Sequence, residues 1–101
     1  MKNLDYQILL SESDRQLVLV VFTAPWSGGA HLLNGMLERV KKDYDNLRVS
    51  QFDIEEHPEL ATDLGITQVP TTLLIRNHQV MDLFTGAIPR RKIIDRLKPH
   101  I

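Results

Sequence analysis

The apolar positions of this chain change period along its length, and each change marks an element. Leu17-Val18-Leu19-Val20-Val21-Phe22 is an unbroken apolar run rich in β-branched side chains. Without polar alternation, it predicts a strand covered on both faces. From His31 to Tyr44 the period is helical. Leu33, Leu37, Val40 and Tyr44 recur at steps of three and four, and Leu32 and Met36 widen the stripe into one broad buried face. Pro25 and Gly28-Gly29 break the chain between these two elements, and Asp45-Asn46 turns it after them.

The remaining signals are shorter. Leu4 to Leu10 predicts a weak first helix with Leu4, Ile8 and Leu9 as its apolar positions and Tyr6 and Leu10 nearby. Leu47 to Ile54 predicts a second strand, in contact through Leu47, Val49, Phe52 and Ile54. Pro58 fits the first position of a short helix running to Leu64, and Gly65 fits its C′ position. Thr71 to Ile75 and Val80 to Phe84, joined by Arg76-Asn77-His78-Gln79, read as a β-hairpin. After Gly86, Pro89 to Lys98 predicts a last helix with Ile93, Ile94 and Leu97 inward. Strands separated by a helix imply a parallel crossover, whereas a hairpin is antiparallel. The expectation is an α/β fold, a mixed sheet of four or five strands with helices on both faces.

Composition narrows the chemistry. A chain of 101 residues, 43% hydrophobic and 25% charged, fits one domain spanning 1–101. Its 12 basic and 13 acidic residues give a formal net charge of −1, so no general attraction to nucleic acid or to an anionic membrane follows. The apolar run ending at Phe22 is far shorter than a bilayer span. The segment Met1 to Tyr6 lacks the features of a secretory leader, and a cytoplasmic location is the expectation. The absence of cysteine excludes disulfides, thiolate metal sites and cysteine nucleophiles within these residues. His31, His57, His78 and His100 show no ligand spacing, and neither a metal nor a cofactor is expected. Ser27 and His31 stand four apart at a helix start, yet no third group orients the imidazole, so no catalytic residue is assigned. Gly35, inside the long helix, reads as a bend or a close contact with the sheet, and Pro89-Arg90-Arg91-Lys92 as a solvated basic face or a rim for an acidic partner.

Two motifs carry a resemblance. Phe22-Thr23-Ala24-Pro25-Trp26-Ser27-Gly28-Gly29-Ala30 resembles the strand-to-helix corner of the thioredoxin family, whose hallmark is Trp-Cys-Gly-Pro-Cys. Leu64-Gly65-Ile66-Thr67-Gln68-Val69-Pro70-Thr71 is similar to that family's cis-proline loop, and Asp53-Ile54-Glu55 and Gly86-Ala87 fall at compatible positions. The resemblance implies the thioredoxin fold over nearly the whole chain. It also locates what is missing. The first cysteine position is Ser27, the resolving cysteine position is Ala30 and the intervening proline is Gly29. The family's buried acid falls at Val21 and its nearby lysine at Gln51. A hydroxyl forms no mixed disulfide, and burying a carboxylate is costly unless it performs a task.

The degenerate active-site positions are therefore Trp26, Ser27, Gly28, Gly29 and Ala30. The resemblance implies a redox-inactive, chaperone-like or interaction module. Its binding groove would comprise Trp26, Ile66, Val69, Pro70, Thr71, Gly86 and Ile88, with Trp26 lying beside Gly28, Val69-Pro70 and the Gly86-Ala87-Ile88 loop. The partner would be a protein or peptide, and a weak homodimer through the same shelf is the structural variant. The alternative is a thiol–disulfide oxidoreductase inactivated by engineered cysteine substitution.

Overall fold

A computed structural model describes residues 3–101, so the leader reading of Met1 and Lys2 lies outside the described residues. The chain runs α1 (Leu4–Glu12), β1 (Leu17–Thr23), α2 (Gly28–Asp43), β2 (Leu47–Asp53), α3 (Pro58–Asp63), β3 (Thr71–Arg76), β4 (Gln79–Thr85) and α4 (Arg90–Leu97), with a 3₁₀ turn at Lys98–His100. The sheet has four strands in the order β2-β1-β3-β4. β1 pairs parallel with β2 from Leu17↔Leu47 to Thr23↔Asp53, and antiparallel with β3. No fifth strand forms among the described residues, because the segment before β1 is helical.

β1 explains the layering. Its residues Leu17 to Phe22 are buried, and alternate side chains enter opposite cores. Leu17, Leu19 and Val21 pack with Leu33, Leu37 and Val40 of α2 and with Ile93 and Leu97 of α4. Val18, Val20 and Phe22 pack with Tyr6 and Leu9 of α1, Leu60 of α3 and Phe52 of β2. Burial pushes the Tyr6 phenol pKa up, so the ring stays neutral in its core.

Several details depart from the expectations above. α2 begins at Gly28 rather than His31, because Ser27 caps it. Leu32 lies on its solvent face at 60% exposure, so the buried stripe is Ala30, Leu33, Leu37 and Val40. In α1 the inward residues are Tyr6 and Leu9, whereas Leu4 and Ile8 are exposed. β2 ends at Asp53 and leaves Ile54 in the following loop. The hairpin turn has two residues, not four. Asn77 and His78 both take left-handed backbone (φ 54° and 66°), which matches the twist of the flanking strands and lets Arg76 pair with Gln79. Pro89 is the N-cap of α4 rather than its first residue. The basic face of that helix is partly neutralised within the chain, Arg90 by Asp43 and Arg96 by Asp82.

A serine outside the sheet ties its far edge to α1. The Ser13 carbonyl accepts from the Asn77 N–H (2.8 Å) and from Arg76 Nη1 (2.7 Å), and its hydroxyl accepts from the His78 N–H (2.9 Å). The hairpin tip is thereby held against the end of a helix more than sixty residues earlier in the chain.

Two positions carry avoidable cost. A Cβ at Gly35 would meet nothing within 4 Å, so neither a close sheet contact nor crowding requires glycine there. Gly35→Ala is expected to raise stability by about 0.5–1 kcal/mol, measured by urea unfolding. Thr72 is fully buried in β3, opposite Val21, and its hydroxyl has no hydrogen-bond partner among the described residues. A buried unpaired hydroxyl costs about 1–3 kcal/mol, so Thr72→Val should raise the thermal midpoint by several degrees.

Candidate functional site

The C-terminal end of β1 delivers the chain into the corner Ala24-Pro25-Trp26, and the Ser27 N–H donates to the Ala24 carbonyl at 3.1 Å. Ser27 then serves as N-cap of α2. Its backbone is extended (φ −93°, ψ 108°), and its Oγ accepts from the Ala30 N–H at 3.1 Å. Serine is among the best residues for this task, satisfying a helix donor that has no carbonyl partner. The residue is 7% exposed. Its hydroxyl is therefore engaged in helix capping, and among the described residues it makes no hydrogen bond to His31.

Gly29 brings the α3–β3 loop onto this corner. A Cβ at Gly29 would lie 3.3 Å from Pro70 Cδ and 3.8 Å from Ser27 Oγ. The helix mouth and the proline thus meet at a glycine that is packed against the ring. The Val69–Pro70 peptide is cis. The Pro70 carbonyl accepts from the Gly86 N–H at 2.9 Å, which fixes the β4–α4 loop to the same place. Val69, just before Pro70, is half-buried, and its main-chain N–H and C=O make no hydrogen bond among the described residues.

The other sequence-chosen residues do not all converge here. Thr71 is buried, and its hydroxyl donates to the Gln68 carbonyl at 2.7 Å, so it presents no free group. Ile66 packs into the α1/α3 core and borders a small hollow of about 90 Å³ with Leu83 and Thr85. Ile88 packs into the opposite core beside α4. Gly28 is exposed, and Ala30, at 3% exposure, faces inward. Trp26 is 66% exposed, and its indole Nε1 donates to Glu55 Oε2 at 3.2 Å, which draws the ring toward the β2–α3 loop. Glu55 went unassigned in the sequence because nothing local connects residues 29 positions apart.

The two positions behind Ala30 where the family carries its acid and lysine hold no proton-transferring group. Val21 is fully buried among Leu33, Leu37 and Phe84, and Gln51 donates its amide to Asn34 Oδ1. Neither Val21 nor Gln51 can accept a proton at neutral pH, and the titratable side chains that border the same hollow as Ala30 are His31 and Asp53. Among the described residues, no three His, Asp or Glu side chains gather as a metal cluster, and no helix is long and apolar enough to cross a membrane.

Comparison with known proteins agrees with this geometry. The sequence signature of the family described as thioredoxin matches residues 1–99. The chain is 34% identical over 101 residues to a thioredoxin of Chlorobaculum thiosulfatiphilum, covering 99% of this chain and 91% of that protein. It is 32% identical over 90 residues to a thioredoxin of Griffithsia pacifica, covering 88% and 83% respectively. It is also similar to the X-ray structure of Fasciola hepatica thioredoxin, with a TM-score of 0.88 at 24% identity, covering 97% of this chain and 93% of that one. By its matched length, its sheet order and the corner between β1 and α2, this cysteine-free chain belongs to the thioredoxin family.

Proposed function

We infer that this protein is a binding module that receives an extended segment of a partner protein at the surface formed by Ser27, Gly28, Gly29, Val69 and Pro70, and that it performs no thiol–disulfide exchange. The unpaired main chain of Val69 beside the packed Gly29–Pro70 contact is the observation that carries this reading. An extended peptide gains main-chain hydrogen bonds wherever a strand-like segment leaves its N–H and C=O unpaired. Trp26, next to Ser27 in sequence, offers a large exposed apolar face, and Glu55 steadies the ring. Disulfide exchange needs a thiolate to attack sulfur, and these residues contain no cysteine.

The alternative, an oxidoreductase whose cysteines were replaced by design, is countered by Val21 and Gln51. Changing two cysteines would leave the acid and the lysine of the active family in place. Here both positions also lack them, and Val21 is sealed in an apolar core.

A permanently unfolded, carboxymethylated protein is a suitable probe of the groove. Titrating it should shift the amides of Gly28, Val69 and Thr71 and change Trp26 fluorescence, and Trp26→Ala should weaken binding about tenfold. Responses confined to other surfaces would refute the reading. In a second test, the wild-type chain should leave insulin disulfides intact. The pair Ser27→Cys with Ala30→Cys should acquire measurable but slow reductase activity, because the helix N-terminus favours a thiolate while Val21 cannot accept a proton.

A further inference from the structure

The edge of the sheet formed by β2 offers main-chain groups other than those of the Ser27–Pro70 corner. Among the described residues β2 has a neighbour only on its β1 side. The Ile54 N–H donates to the Thr23 carbonyl at 2.9 Å, and this sets the alternation of the parallel ladder. Residues 48, 50, 52 and 54 turn their main-chain groups toward β1, and 47, 49, 51 and 53 turn theirs outward. Part of that outer row is already engaged. Arg48 Nη1 donates to the Val49 carbonyl at 3.1 Å, and the Asp53 carbonyl accepts from the N–H groups of Glu56 and His57. The N–H of Val49 and both main-chain groups of Gln51 remain without a partner among the described residues.

A hollow flanks this stretch on each face of the sheet, and Gln51 borders both. On the α1 face, Asp5, Ile8, Arg48, Ser50 and His57 surround about 260 Å³ above Phe52 and Leu9. On the α2 face, His31, Asn34 and Asp53 help enclose about 120 Å³, which reaches Ala24, Pro25 and Ala30 at the β1–α2 corner. A strand laid along β2 would send alternate side chains to opposite faces and so into the two hollows in turn. Each hollow contains one aspartate, and among the described residues neither Asp5 nor Asp53 has an ion-pair partner. Arg48, the one permanent cation bordering them among the described residues, is paired with Glu12 at 3.0 Å.

We propose that the outer edge of β2 is a strand-addition site for an extended, lysine- or arginine-bearing segment of a partner protein. The segment's main chain bonds to Val49 and Gln51, one cationic side chain meets Asp5, and another, an odd number of positions away, meets Asp53. This surface uses the main chain of Val49 and Gln51 rather than that of Val69, so either reading can fail without the other.

The probe is an acetylated, fluorescent heptapeptide of threonine and valine with two lysines three positions apart, compared with its glutamate counterpart. The lysine peptide is expected to shift the amides of Val49 and Gln51 and slow their hydrogen exchange, whereas the glutamate peptide leaves both unchanged. Gln51→Pro removes an outward N–H that the β1 ladder does not use, and should abolish binding while the far-ultraviolet dichroism stays the same. Asp5→Asn combined with Asp53→Asn keeps the hydrogen bond that Asp53 Oδ1 accepts from the Glu55 N–H, and should weaken binding at least tenfold. The proposal is overturned if the glutamate peptide binds equally, if only Gly28 and Val69 respond, or if millimolar lysine peptide moves nothing. It is overturned in favour of self-pairing if sedimentation instead reveals a dimer that Gln51→Pro dissolves.

Discussion

Burial of β1 on both faces, with hydrogen-bonded neighbours along both edges, is the constraint that organises this molecule. A strand so placed cannot leave a polar side chain or an unpaired amide facing an apolar core without a cost of several kcal/mol. Hence each of its two faces requires its own helical cover, supplied by α1 and α3 on one side and α2 and α4 on the other. The strand also fixes where α2 begins, because its last residues lead straight into the Ala24-Pro25-Trp26 corner. The position of the helix mouth is thus inherited from the packing of β1.

At that mouth the replacement of sulfur by oxygen has a structural consequence as well as a chemical one. A hydroxyl at the N-cap accepts a helix N–H well, and Ser27 does so while almost wholly buried. The same groups that would stabilise a thiolate here stabilise the helix instead. Val21 and Ala30 extend the change inward, where apolar packing occupies the positions that a proton relay would need. One small cost remains in Thr72, whose buried hydroxyl, opposite Val21, has no partner among the described residues.

The two candidate surfaces share a physical logic, since both are places where strand-like main chain is left unpaired. They differ in chemistry. The Val69–Pro70 loop lies beside the small residues Ser27 and Gly29, which favour close main-chain approach. The β2 edge lies between two aspartate-bearing hollows, which favour cations. The α4 arginines are less available than their number suggests, because Arg90 and Arg96 each have a carboxylate within the chain.

The sequence by itself determined the order of elements, the doubly buried strand, the long amphipathic helix and the lack of thiol chemistry. These follow from period, punctuation and residue type, all of which act over a few neighbouring positions. It misjudged Leu32 and Ile8, since a helical stripe is wider in sequence than the face a neighbouring sheet can cover. It also saw four linking residues where Asn77 and His78 make a two-residue turn, because left-handed backbone at a histidine is favoured here by strand pairing on both sides. Only the tertiary structure decided that Glu55 steadies Trp26, that Ser13 anchors the hairpin tip, that Ile66 and Ile88 enter opposite cores, and that β2 is an open edge between two hollows. Each of those depends on residues brought together from distant parts of the chain, and no local rule of spacing encodes which distant groups will meet.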